Sequence, residues 1–138
     1  MPTKGQLLHT QEMQWMPATA LYGESVFHEG QPLVWYKLLT DRRVEGKGVT
    51  YLSKFCPPEG KLLKIIAKAR SDEHVYILEG GFCDVTGKQR VFAGDYAFNP
   101  EGHPHGSFLG VETIAIQFYG GEPDEIVELS VIEPRRTR

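Results

Sequence analysis

The segment His103-Pro104-His105 places two imidazoles two residues apart, and an extended backbone there aims both rings to the same side. Two imidazoles on one side can grip a divalent metal between them. The ordinary alternative for His103 is a loop histidine in solvent. A carboxylate for the same chemistry is available at Glu73, although an acidic residue near a strand start is also often a plain edge charge. Its neighbour His74 points to the opposite face of a strand, so if Glu73 faces inward His74 does not. Glu73 and His105 also make an acid/base pair if both reach one reacting proton. His9 and His28 stand in no pattern and read as surface residues. Cys56 and Cys83 form no close pair and read as buried thiols acting as small hydrophobes.

Positioning such groups falls to strands. Short apolar or alternating runs cover Leu33 to Leu39, Val49 to Phe55, Leu62 to Ala69, His74 to Leu78, Phe82 to Val85, Gln89 to Phe92, Asp95 to Phe98, Val111 to Tyr119 and Glu125 to Val131. Between them lie Pro57-Pro58-Glu59-Gly60, Glu79-Gly80-Gly81, Thr86-Gly87-Lys88, Ala93-Gly94-Asp95, Pro100-Glu101-Gly102 and Gly120-Gly121-Glu122-Pro123, which are turn compositions. This texture predicts an all-β barrel or sandwich. One stretch competes: Lys61, Lys64, Lys68 and Arg70 also carry the spacing of a basic amphipathic helix. A strand is preferred there, with Lys64, Ile66, Lys68 and Arg70 outside and Ile65, Ala67 and Ala69 inside. In the last long strand Thr113, Ala115, Gln117 and Tyr119 share one face, while Ile114, Ile116 and Phe118 share the other. The pattern does not say which face looks inward.

The chain has 138 residues, of which 41% are hydrophobic, enough for one domain with an ordinary core over 1–138. Residues 1–21 read as an N-terminal arm packed on a barrel of about 30–132 or on a second subunit. Fifteen basic and eighteen acidic residues give a net charge of −3, with the basic ones scattered apart from Arg135-Arg136-Thr137-Arg138. Phosphate binding needs a concentrated basic surface, so nucleic acid is a poor fit as partner. No run has the length of a membrane span or the make-up of a secretory signal, and a cytoplasmic protein without membrane contact is expected.

With these residues in view the chain resembles the cupin superfamily. From Gly94 to His105 it reads glycine, five residues, proline, one residue, glycine, two residues, histidine, the spacing of the second cupin motif. Met16-Pro17, the run Trp35 to Asp41, the run Gly48 to Phe55, Glu73-His-Val-Tyr-Ile-Leu-Glu-Gly80, Phe82-Cys-Asp84 and Gly94-Asp-Tyr96 extend the likeness. It is specifically similar to the group containing the cupin domain of the anti-sigma factor ChrR and the acetylacetone-cleaving dioxygenases. The resemblance implies a jelly-roll barrel (a double-stranded β-helix of the RmlC-like kind), a homodimer, and metal-ligand roles for Glu73 and His105.

The chain departs from that pattern at the first motif. The two histidines that should precede Glu73 fall on Ala67 and Ala69, and with the alternative spacing on Ile66 and Lys68, none of which binds metal. Two ligands alone hold a metal weakly. The methyl side chains also vacate space, which favours a small organic ligand in a pocket lined by Ala67, Ala69, Gln117 and Tyr119. This is the first reading, a degenerate metal site in a small-molecule-binding barrel. A second is a zinc, iron, nickel or manganese dioxygenase of the diketone-cleaving type using Glu73, His103 and His105. A third is a metal-free isomerase, cyclase or lyase driven by Glu73 and His105. Leu7, Leu8, Trp15 and Met16 give the arm apolar surface that a homodimer would cover.

Overall fold

The computed structural model describes residues 4–136; expectations that fall on residues 1–3 of the arm and on 137–138 of the basic run lie outside them. In chain order the strands are β1 (Met16–Pro17), β2 (Phe27–His28), β3 (Gln31–Pro32), β4 (Val34–Asp41), β5 (Val49–Phe55), β6 (Leu62–Lys68) and β7 (Glu73–Glu79). They continue with β8 (Gly81–Cys83), β9 (Gln89–Phe92), β10 (Tyr96–Asn99), β11 (Pro104–Leu109), β12 (Thr113–Tyr119) and β13 (Glu125–Ile132). Among the described residues one short α-helix, α1, spans Thr19–Tyr22, with 3-10 turns at Thr10–Glu12, Gly23–Val26 and Arg43–Glu45. Two antiparallel sheets face each other: β1-β4-β5-β12-β7-β10 and β13-β6-β11-β8-β9. The fold is all-β, with β2 and β3 forming a small separate ladder.

The contested stretch from Lys61 is strand β6. Its alternation decides the matter: Leu63, Ile65 and Ala67 are buried, whereas Lys64 and Ile66 are half-buried and Lys68 is exposed. Ladders on both sides, to β11 and to β13, give the backbone its partners. β11 was not among the strands expected from sequence, because Pro100, Gly102 and Pro104 made its start look like a turn. From Pro104 to Leu109 it pairs along nearly all of β6.

Between the sheets the buried apolar residues form three clusters. Leu33, Val34, Phe55, Leu63, Ile65 and Leu109 pack with Ala18 and Val26 into one apolar cluster. Val49, Tyr51 and Tyr119 form a second, and Val75, Ile77 and Ala115 a third. In β12 the inward face carries Thr113, Ala115, Gln117 and Tyr119, so the apolar side chains of that strand face outward. Thr10 and Trp15 of the arm lie on the outside of β4 and β5, whereas Met16–Pro17 pairs with β4 and Ala18 enters the core. Lys37 Nζ donates to the Thr10 carbonyl at 2.7 Å, and the Trp15 ring sits 4.5 Å from Lys37 Nζ and 5.2 Å from Lys54 Nζ.

At the mouth of β5, Gly48 holds φ at +85°, and an added Cβ would lie 1.8 Å from the Tyr119 carbonyl oxygen. Only glycine fits both the backbone and the space. Gly48→Ala is expected to cost about 2–4 kcal/mol, read as a lower melting temperature. An unchanged melting temperature would contradict this close approach.

Candidate functional site

Glu73 opens β7, and the ladder register places it directly opposite Asn99 of β10 and Tyr119 of β12. Those neighbours become its hydrogen-bond donors. Asn99 Nδ2 donates to Oε1 at 2.8 Å, while the Tyr119 hydroxyl and Gln117 Nε2 donate to Oε2 at 2.5 and 3.1 Å. Ser53 donates to the Gln117 carbonyl oxygen and so fixes the amide with its NH₂ toward Glu73. Tyr51 stands against Tyr119, and a third phenol, Tyr22 from the end of α1, lines the cavity beside them. The carboxylate is 1% exposed, a placement that is costly without such partners.

His105 approaches from the facing sheet. It lies opposite Ala67 in the β6–β11 ladder, where the methyl side chain leaves room for the ring. Its Nε2 is 3.7 Å from Glu73 Oε1 and 2.9 Å from Asp124 Oδ2. The shorter contact is off the line of a ring N–H, so Nε2 has no hydrogen-bond partner, and Asp124 Oδ1 has none either. Asp124 is buried just before β13. The turn that carries it is pinned by three bonds: Gly120 N–H to the Asp72 carbonyl at 2.9 Å, Ser71 Oγ to the Glu122 carbonyl at 2.8 Å, and Arg70 Nε to the Pro123 carbonyl at 2.6 Å.

Glu73, His105 and Asp124 thus each present a donor atom, all within 4.8 Å of one another. Donors bound about 2.0–2.2 Å from one ion sit about 3–4 Å apart, which the two His105 distances match. One imidazole with two carboxylates is a donor set suited to divalent transition metals, and the two partnerless buried atoms are the ones a cation would satisfy. Asn99, Gln117 and Tyr119 would then be the supporting shell that orients the ligating carboxylate. By geometry and by donor chemistry the three residues fit a metal.

Protonation follows the same contacts. Burial pushes the Glu73 carboxyl above its ordinary pKa, and the nearby Asp124 charge adds to the shift; the bonds from Tyr119, Asn99 and Gln117 work against it. The Asp124 carboxylate raises the His105 imidazole above its usual value against the opposing effect of burial. Burial likewise drives the Tyr22, Tyr51 and Tyr119 phenols up, keeping all three as hydrogen-bond donors.

A cavity of about 220 Å³ opens beside these groups. One end is polar, with Glu73, Asn99, His105, Ser107, Gln117 and Asp124; the rest is apolar, from Phe55, Ile65, Val75, Phe82 and Leu109. Of the residues expected at the pocket, Ala67 and Gln117 line it. Tyr119 stands behind Glu73 and off the cavity wall. Ala69 is buried but lies outside the lining; its backbone exchanges bonds with His103 and Gly102. His103 is exposed, its ring parallel to that of His105 at 6.4 Å, and it is not in the donor cluster. Proline between the two histidines does not aim both rings at one point, because the chain turns from loop to strand there. His74 faces the outside, bonded through Nδ1 to the Tyr96 hydroxyl at 2.6 Å. Asp124 and Asn99 were not anticipated, since one belongs to a turn and the other ends an edge strand.

No family model and no curated relative matches the chain. Solved structures do. A proposed acetylacetone dioxygenase from Methylibium petroleiphilum superposes with a TM-score of 0.63 at 15% identity, covering 93% of this chain and 84% of that one. An RmlC-like cupin from Shewanella frigidimarina gives 0.57 at 18% identity, with 88% and 96% covered. This chain has the cupin fold. The polyketide cyclase RemF from Streptomyces resistomycificus is a third such neighbour, at 0.57 and 19% identity, covering 92% of this chain and 88% of that one. Identities this low establish the barrel and leave the chemistry to be argued from the cupin's own side chains.

The raised pKa of His105 has a consequence for stability. A proton held more tightly in the folded state stabilises fully below the ordinary histidine value of about 6.5, and that contribution is lost as pH rises through the folded pKa. Glu73, also raised, has the same sign at lower pH. In chelator, the melting-temperature advantage of the wild-type cupin over His105→Gln is therefore expected to shrink between about pH 6 and 8. A gap that widens over that range would contradict the assignment.

Proposed function

We propose that the cupin cavity binds a small oxygen-bearing organic molecule beside a divalent metal held by Glu73, His105 and Asp124. The observation that carries this reading is the convergence of three donor atoms from three separate elements, two of them buried and without partners, on the polar end of an otherwise apolar cavity. Asp124 supplies the third ligand that the missing histidines withheld, which moves the balance away from a metal-poor pocket. A bound metal would polarise a ligand oxygen and lower the pKa of a bound water or hydroxyl. The chain's own part is to hold the carboxyl groups aligned, to admit a ligand of limited size past Ala67 and Ala115, and to exclude water with Phe55, Ile65 and Phe82.

Neighbours of the same fold include a proposed dioxygenase and a cyclase, so the fold does not choose between oxygen chemistry and ring closure. A second reading rests on the 2.9 Å approach of His105 to Asp124. Without metal, a protonated His105 between two carboxylates is itself a proton donor for a bound ligand.

Metal analysis of protein purified without a histidine tag separates the two. About one equivalent of a transition metal is expected in the wild type, with at least a tenfold loss of affinity in His105→Ala and in Asp124→Asn. Tyr119→Phe should weaken binding by roughly 10–100-fold through the orientation of Glu73, and His103→Ala should leave it unchanged. Loss of metal in His103→Ala with retention in Asp124→Asn would overturn the ligand set; ligand binding indifferent to chelation would favour the metal-free pair.

A further inference from the structure

Strand β11 turns three side chains into the cavity, His105, Ser107 and Leu109, because alternate residues of a strand share a face. Their partners across the ladder on β6 are Ala67, Ile65 and Leu63 in turn. Ser107 therefore stands one step, about 7 Å, along the strand from His105. There the polar end of the cavity gives way to the apolar cluster of Phe55, Ile65 and Leu109. Other polar groups on the wall are already committed. Asn99 and Gln117 each donate to Glu73, Ser53 fixes the Gln117 carbonyl, and Tyr22 is engaged by Tyr51 and Gln117. Ser107 differs from them: its hydroxyl hydrogen-bonds to no other described residue, and the half-buried side chain is open to the cavity.

We infer that Ser107 is a specificity-determining residue whose hydroxyl binds a second polar atom of the ligand. The inference rests on the metal-centred reading above and names the class of molecule: one with two oxygen functions joined by a short carbon spacer. The first lies at Glu73, His105 and Asp124; the second, a hydroxyl or carbonyl, lies one step deeper, ahead of a short apolar body. Volume alone does not account for a serine there. Ala67 and Ala115 leave space in the same cavity with a methyl group. A hydroxyl beside Ile65 and Leu109 instead costs free energy once a ligand fills the cavity, unless the ligand hydrogen-bonds to it. It can donate to a carbonyl or accept from an alcohol, so either group satisfies it. No lysine or arginine lines the cavity among the described residues, so the second group is uncharged. A carboxylate or phosphate at that depth would be buried near two carboxyl groups without a counter-charge of its own. Discrimination follows from the same cost. With alanine at this position, a hydroxyl on the ligand would be buried against apolar side chains with nothing to bond.

The test is calorimetric titration of the zinc-loaded full chain with butanohydroxamic acid and with its 3-hydroxy and 4-hydroxy derivatives. The hydroxamate head of each probe binds zinc through oxygen, and only the derivatives offer a further hydroxyl. In the wild type at least one derivative is expected to bind roughly threefold to tenfold tighter than the parent. Ser107→Ala should abolish that preference and leave the parent's affinity unchanged, whereas Ser107→Thr, which keeps the hydroxyl, should retain it. Ser107→Val against Ser107→Thr repeats the comparison at equal shape, and thermal unfolding with zinc stoichiometry verifies that each variant is folded and loaded. A zinc-loaded wild type that binds parent and derivatives alike, or a Ser107→Ala that keeps the preference, would overturn the role of Ser107 and leave the metal site standing. A wild type that takes up no zinc, or binds the probes equally after chelation, would remove the metal-centred reading and this inference with it.

Discussion

A carboxylate buried to 1% exposure must be surrounded by donors or neutralised, and the architecture around the cavity follows from how Glu73 meets that demand. Three donors come from the two strands that flank β7, so the register of β7 with β10 and β12 is also the geometry of the site. On its remaining side Glu73 meets His105 and Asp124, and a cation shared with them would offset negative charge there. A proton on His105 does part of the same work. Both states would be built from one arrangement of side chains, so protonation and metal binding would compete there.

The demand of Glu73 reaches through the sheet. Gln117 and Tyr119 must point inward to serve the carboxylate, and on a pleated strand their neighbours Ile114, Ile116 and Phe118 must then point outward. β12 therefore reverses the usual allocation, polar within and apolar without. On the same sheet β7 sends Tyr76 and Leu78 outward to keep Glu73, Val75 and Ile77 inside. The exposed aromatic face and the interior polar site are two sides of the same strands. Small inward residues complete the arrangement: Ala67 and Ala115 leave volume where larger chains would close the cavity.

Much of this was legible in the sequence. Alternation and turn composition located most of the strands, two of them, Val49–Phe55 and Gln89–Phe92, with the observed boundaries. The adjacency of Glu73 and His74 fixed their opposite orientations, and the phase of β6 placed Ala67 within. What escaped depends on distance along the chain. Asp124 follows a Gly-Gly-Glu-Pro turn, and a turn acid carries no local mark of burial; its inward direction is set by Ser71 and Arg70 more than fifty residues upstream. β11 was hidden by Pro100, Gly102 and Pro104, whose turn signal outweighed the alternation beginning at His105. For β12 the alternation was plain but its direction was not, because a polar inward face inverts the usual hydrophobic rule.

Whether Glu73, His105 and Asp124 act as one set is answered most directly by anomalous diffraction from crystals grown with manganese or zinc. A single strong peak about 2.0–2.3 Å from Glu73 Oε1, His105 Nε2 and an Asp124 carboxylate oxygen is expected. A peak on His103 with Asp124 turned away, or no peak beside His105 at saturating metal, would contradict a shared site.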